Sequence, residues 1–269
     1  MPNLDVNGTS LNYLLEGPAG APVVVLSNSL STDMRMWQPQ AAVLAARYRL
    51  LRYDTRGHGG SRATVPPYTP ELLADDLAGL LSGLGLPPAH IVGLSLGGMT
   101  AQMLAVRRPD LVASLCLVAT TCAPPFGTAA AWARRAEEVR LAGDYAAMLE
   151  PMLDRWLTRR FRRANPAGLG LIREMILATP LDGYIGACHA IGGLDVCGKL
   201  AGFPRPVAII AGEEDPGTTV EDAERIAAGI PHARLTVIPG ARHLINWDAE
   251  GAFTPLLVGW LGEVEALLF

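Results

Sequence analysis

Three side chains that together could make a serine nucleophilic stand far apart in the chain: Ser95, Asp215 and His243. Ser95 lies in Gly93-Leu94-Ser95-Leu96-Gly97-Gly98, between the apolar run Ala89-His90-Ile91-Val92 and a helical pattern that begins near Met99. A turn that only reverses the chain needs one glycine. Glycines two before, two after and three after the serine clear space around one hydroxyl. A hydroxyl is a weak nucleophile unless a base takes its proton during attack. His243, in Pro239-Gly240-Ala241-Arg242-His243, offers that base. Asp215, in Gly212-Glu213-Glu214-Asp215, can hold the other ring nitrogen and balance the imidazolium. Glu213 and Glu214 are its rivals, but Asp215 reaches deeper into the loop and is the expected partner. The helix after the serine starts at once, so its unpaired N–H groups, Leu96 first, face the place where an oxyanion forms.

These groups need a scaffold that brings them to one edge. Short runs rich in Val, Ile and Leu recur at Val23–Leu26, Arg49–Tyr53, His90–Val92, Ser114–Ala119, Val207–Ala211 and Leu235–Ile238. They do not alternate with polar residues, which is how strands buried on both faces of a parallel sheet read. Helical patterns separate them, at Trp37–Arg47, Pro70–Leu84, Gly98–Val106, Val220–Ala228 and Phe253–Leu268. The alternation predicts an α/β fold, a doubly wound and mostly parallel sheet with right-handed crossovers. Asn7-Gly8 between two strand-like segments predicts an antiparallel hairpin at the N-terminus. In such a sheet ligands bind beyond the carboxyl ends of the strands, and Ser95, Asp215 and His243 each fall just past one.

From Thr121 to Val196 no buried strand is apparent, and Trp132–Arg140, Tyr145–Leu157 and Leu169–Ala178 read as helices. The expected organisation is a core of residues 1–121 and 197–269 carrying a helical cap at 122–196. The cap is rich in arginine, which by default marks a solvated helix face.

Composition narrows the function. The chain has 269 residues, 50% of them hydrophobic, and a net charge of −4, which argues against nucleic acid as a partner. The first residues lack the pattern of a secretory signal and no apolar run nears the ~18 residues of a membrane span, so a cytoplasmic protein without a membrane partner is expected. The cysteines, Cys116, Cys122, Cys188 and Cys197, lack metal-site spacing and sit in apolar segments, so four free buried thiols are expected. The histidines are scattered, with no HxH or HExxH, and no phosphate-binding glycine motif follows the first strand; neither a metal nor a nucleotide cofactor is expected. His58, in Asp54-Thr55-Arg56-Gly57-His58-Gly59, is expected to shape a wall of the site.

The order Ser…Asp…His, with G-x-S-x-G between strand and helix, resembles the α/β-hydrolases. In many of these a His-Gly pair stands nine residues before a tryptophan; Asn28 and Trp37 have that spacing here, which aligns Leu30 as the second backbone donor to an oxyanion. The resemblance then narrows to the 3-oxoadipate enol-lactonases. "LSNSLSTDMRMW", "LRYDTRGHGGS", "GLSLGGMTAQ" and, in the cap, Trp132 with Arg135, "DRWLTRRF" and "ATPLDGYIGACHAIGGLD" are similar to that family. Ser31 departs from it, standing where the family usually has glycine, and so does "GEEDPGTTVEDA", where a Thr-Pro step is more usual. The resemblance implies a small anionic lactone or ester as substrate, Asn28, Ser29, Trp132 and Arg135 as substrate-binding residues, and no cofactor. A broad carboxylesterase, another lactonase, or a cofactor-free haloperoxidase or perhydrolase uses the same triad; a catalytically silent receptor on this fold has no need of all three groups.

Overall fold

The structure, a computed structural model, describes residues 1–125 and 128–268. Eight strands form one sheet in the order β1-β2-β4-β3-β5-β6-β7-β8. The strands are β1 (Asn3–Val6), β2 (Thr9–Glu16), β3 (Val23–Ser27), β4 (Arg49–Tyr53), β5 (Ala89–Leu94), β6 (Val112–Val118), β7 (Val207–Gly212) and β8 (Arg234–Ile238). β1 and β2 form the expected antiparallel hairpin, with Asn7 and Gly8 both at positive φ in its turn. β2 also runs antiparallel to β4, and every later pairing is parallel. β3, β5 and β7 are buried along their whole length, which explains why their sequences show no alternation.

In the core, α1 (Gln38–Ala45) follows β3, α2 (Pro70–Gly83) follows β4 and α3 (Leu96–Arg107) follows β5. α2 and α3 pack together, and α3 lies against β3, β5 and β6. Between β6 and β7 come only helices: α4 (Ala129–Ala142), α5 (Leu149–Trp156), α6 (Arg159–Ala164), α7 (Pro166–Ala178) and α8 (Leu181–Gly192), with one short 3-10 turn. α9 (Val220–Ala228) then packs on β7 and β8, and α10 (Ile245–Asp248) and α11 (Glu250–Leu268) pack against α1.

The helical segment is seated on the core by close backbone approach. A Cβ built on Gly183 would lie 1.8 Å from the Gly57 carbonyl oxygen, and one on Gly186 would meet the Tyr68 ring at 2.5 Å. Glycine at both positions is therefore a condition of the seating. One sequence expectation is overturned at the segment's base. Cys122 and Cys197 are joined by a disulfide across a Cα–Cα distance of 4.9 Å, and only Cys116 and Cys188 are free and buried. The two cysteines are 75 positions apart, but the helical segment leaves and re-enters the core at one place, which brings its ends together. The Val196 N–H donating to the Cys122 carbonyl at 2.9 Å marks the same closure. No helix is long and apolar enough to cross a membrane among the described residues.

Candidate active site

Ser95 stands alone between β5 and α3, with φ 56° and ψ −114°. That conformation costs on the order of 1–3 kcal/mol and persists only if the surroundings over-determine it. They do: the Ser95 N–H donates to the Val118 carbonyl at 2.9 Å, and the Thr120 hydroxyl donates to the Ser95 carbonyl at 2.8 Å. The flanking glycines have distinct reasons. A Cβ on Gly93 would strike the Gly97 carbonyl at 2.3 Å, one on Gly97 the Ser27 carbonyl at 2.2 Å, and one on Gly98 the Thr120 side chain at 2.7 Å. The serine turn is thus wedged against the end of β3 and the loop beyond β6.

His243 follows β8 and lines one cavity with Ser95, together with Ser29, Leu30, Asp215 and Thr218. The Nδ1 atom of His243 lies 2.7 Å from Asp215 Oδ2. Both hydrogen bonds of the ring use Nδ1, so among the described residues Nε2 has no protein partner and Ser95 is not yet bonded to it. Asp215 is buried, with further bonds from the Gly217 and Thr218 amides to Oδ1 and from the Thr218 hydroxyl to Oδ2 at 2.7 Å. Burial alone pushes this carboxyl up; the charge and hydrogen bond of His243, with Thr218 and Gly217, outweigh it and hold the group below its ordinary value. Asp215 is therefore an anion at neutral pH. Its rivals are elsewhere: Glu213 accepts from the Gly240 N–H, and Glu214 lies 3.7 Å from Arg242 on the surface.

The histidine loop is fixed by the helical segment between β6 and β7. Asp248 Oδ2 accepts from the Arg242 N–H at 2.9 Å, while its Oδ1 accepts from the Thr158 amide and hydroxyl at 2.8 and 2.7 Å. The Leu244 N–H donates to the Trp156 carbonyl at 3.0 Å, and the Trp156 ring centre is 6.0 Å from that of His243. Sequence reading passed over Thr218, Thr120, Trp156 and Asp248, because their parts depend on the path of loops that no local pattern encodes.

The other expected site residues divide. Ser29, Leu30, Trp132 and Arg135 line the cavity. The Leu30 amide makes no hydrogen bond within the described protein and Leu96 opens α3, so both N–H groups are free to donate. The Trp132 indole donates to the Pro125 carbonyl at 2.8 Å. Arg135 Nε donates to the Tyr184 hydroxyl at 2.6 Å, with the guanidinium 5.2 Å from the Trp132 ring centre. Asn28 lies behind the cavity, outside its lining; its amide donates to the Tyr53 carbonyl at 2.7 Å and so holds the loop that presents Ser29 and Leu30. His58 is also outside the lining, fully buried, with Nδ1 3.1 Å from the Arg56 carbonyl. The cavity holds a second arginine that sequence reading left on the solvated face, Arg155. No grouping of side chains able to hold a metal ion occurs among the described residues.

Comparison with known proteins agrees with this geometry. The family model described as "Alpha/beta hydrolase family" matches residues 23–254. The chain is 36% identical over 250 residues to 3-oxoadipate enol-lactonase 2 of Acinetobacter baylyi, covering 93% of this chain and 92% of that one. It is similar in structure to the enol-lactonase from Burkholderia xenovorans LB400, with a TM-score of 0.92, 37% identity, and coverage of 97% and 100% of the two chains. A thermophilic esterase from Thermogutta terrifontis, solved with malate bound, gives a TM-score of 0.90 at 29% identity, covering 98% and 99%. The chain is a carboxylic-ester hydrolase and belongs to the alpha/beta hydrolase family, in its 3-oxoadipate enol-lactonase branch.

Proposed function

We propose that the protein opens a small, carboxylate-bearing enol lactone, of the 3-oxoadipate enol-lactone type, through an acyl-enzyme on Ser95. The observation that carries this reading is the His243–Asp215 pair, 2.7 Å apart, sharing one cavity with the strained Ser95 and with two arginines.

His243 Nε2 takes the Ser95 proton as the hydroxyl oxygen attacks the ring carbonyl, and Asp215 balances the imidazolium. The Leu30 and Leu96 amides stabilise the tetrahedral oxyanion; one such donor is worth about 2.7–4 kcal/mol in the transition state. The ring C–O bond then breaks, and His243 returns the proton to the leaving enolate oxygen. The leaving group stays tethered to the acyl-enzyme and could attack backwards. Tautomerisation of enol to ketone removes that nucleophile and makes opening irreversible in practice. Water, deprotonated by His243, adds to the acyl carbonyl, and Ser95 leaves with the proton.

Arg135 is one of two cavity guanidiniums that suit the substrate's own carboxylate, since a guanidinium grips a carboxylate with two parallel hydrogen bonds.

The test is enol-lactone turnover followed by loss of ultraviolet absorbance as the conjugated enol disappears. Wild-type turnover well above that of short-chain p-nitrophenyl esters, abolished by Ser95→Ala, is the expected result. Faster hydrolysis of the simple esters replaces this reading with that of a broad carboxylesterase.

A further inference from the structure

The nine arginines of the helical segment differ in their surroundings. Arg140, Arg162 and Arg173 pair on the surface with Glu137, with Glu150 and Asp154, and with Glu150. Arg135 and Arg155 instead line the cavity that holds Ser95 and His243. They differ from each other as well. Arg135 is restrained by the Tyr184 hydroxyl at 2.6 Å and by two aromatic rings, Trp132 and Tyr184, at 5.2 and 5.6 Å. Arg155 has no hydrogen-bond or ion-pair partner among the described residues, although its side chain is only partly exposed.

Around these cations the lining is largely apolar: Met99, Met152, Trp156 and Ile191. Its one carboxylate, Asp215, is already engaged by His243 and Thr218. Burial first, and then the like charge of Arg135, push the Arg155 guanidinium below its usual value; an arginine stays cationic nonetheless. The free protein therefore keeps two mutually repelling cations against an apolar cavity, neither ion-paired with a carboxylate among the described residues. A neutral acyl chain entering that cavity leaves the imbalance in place. A chain ending in a carboxylate removes it through charge-assisted hydrogen bonds.

Arg155 is also held in register with the chemistry. It precedes Trp156 in α5, and the Trp156 carbonyl accepts from the Leu244 N–H, next to His243. A carboxylate bound at Arg155 thus sits at a set span from the reacting carbonyl, which selects for acyl-chain length as well as charge.

We propose that Arg155 is the specificity-determining residue of this site, pairing with a carboxylate at the far end of the substrate's acyl group, with Arg135 as its restrained neighbour. The proposal rests on the hydrolase reading above, and its test separates the two. Full-length protein is assayed on p-nitrophenyl butyrate, which is neutral, and on mono-p-nitrophenyl glutarate, which carries a terminal carboxylate on a chain of similar reach. The wild type should prefer the glutarate ester. Arg155→Met, which keeps the apolar stem, should cut kcat/KM on the glutarate ester by roughly 10- to 100-fold more than on the butyrate ester, mostly through KM. Arg155→Lys should recover part of the difference, since it restores charge without the fork. Free glutarate should inhibit the wild type competitively and the Met variant at least tenfold more weakly. If the ratio of the two esters shifts by less than threefold in Arg155→Met and glutarate inhibition is unchanged, the assignment of Arg155 is wrong while the hydrolase reading stands. A wild type that cleaves neither ester nor an enol lactone overturns both.

Discussion

The Thr218 hydroxyl donates to Asp215 Oδ2 at 2.7 Å, and the hydroxyl oxygen itself lies 3.3 Å from His243 Nδ1. The loop that departs from the usual family pattern therefore supplies the groups that hold the acid of the candidate triad. Thr218 touches no reacting atom, so its part is positioning. Thr218→Val removes one hydrogen bond to a buried carboxylate at nearly constant volume. A bond to a charged group is worth about 1.5–3 kcal/mol, so kcat should fall roughly 10- to 100-fold with KM little changed. Because Asp215 loses a bond to its ionised form, the acid limb of the kcat profile should also move to higher pH. Thr218→Ser should restore both. An unmoved pH profile would show that the threonine only fills space.

Ser31 adopts φ 56°, a left-handed conformation, at the position where related sequences usually carry glycine. A side chain there is disfavoured by roughly 1 kcal/mol. Ser31→Gly relieves this but adds freedom to the unfolded chain, so the expected net gain is a few tenths to about 1 kcal/mol in chemical denaturation. A loss of stability would mean that the serine side chain contributes packing that outweighs its backbone cost.

What sequence could convey depended on whether a feature is local. The parallel core was legible at Val23–Ser27 and Val207–Gly212, because burial on both faces forces an uninterrupted apolar run. The turn at Ser95 was legible because three glycines are needed within one strand-to-helix corner, each against a different obstacle. Arg155 was not legible. It lies among many arginines, and only the fold of α5 over the cavity distinguishes it from Arg159 or Arg160 on the solvent side. Asn28 shows the reverse failure: its spacing to Trp37 matches a hydrolase loop, but its side chain turns to the Tyr53 carbonyl. The partnership of Cys122 with Cys197 was hidden because cysteine spacing carries no information about where a long insertion closes.

Burial holds His58 neutral, pushing its pKa down to about 4 from an ordinary 6.5, against the opposing bond to the Arg56 carbonyl. The unfolded chain binds a proton at this residue below about pH 6.5 and the native protein does not until near pH 4. Stability is thus fully present above pH 6.5 and is lost as pH falls toward 4, by about 3 kcal/mol from this group. His90, also buried and lowered by desolvation, acts in the same direction. Urea unfolding at pH 7, 6, 5 and 4 should show the decline, and His58→Asn, which keeps a short polar group near the Arg56 carbonyl, should flatten it. An identical slope in the variant would place the acid sensitivity elsewhere.

The Cys122–Cys197 disulfide closes the helical segment at its base, next to Thr121 and Thr120, the latter bonded to the Ser95 carbonyl. Protein purified without reductant and then denatured should therefore expose two titratable thiols, Cys116 and Cys188, rising to four after reduction. Four thiols before reduction would disprove the bond. The loop-entropy relation gives roughly 4 kcal/mol for a crosslink spanning 75 positions, and strain or residual denatured-state structure reduces it. Cys122→Ser with Cys197→Ser should lower the melting temperature by several degrees. Because the crosslink joins the two stems rather than the cavity walls, kcat on the preferred substrate should fall less than threefold at 25 °C. A far larger drop at a temperature where the variant is fully folded would instead make the stems part of what holds the Ser95 turn in its strained conformation, through Thr120.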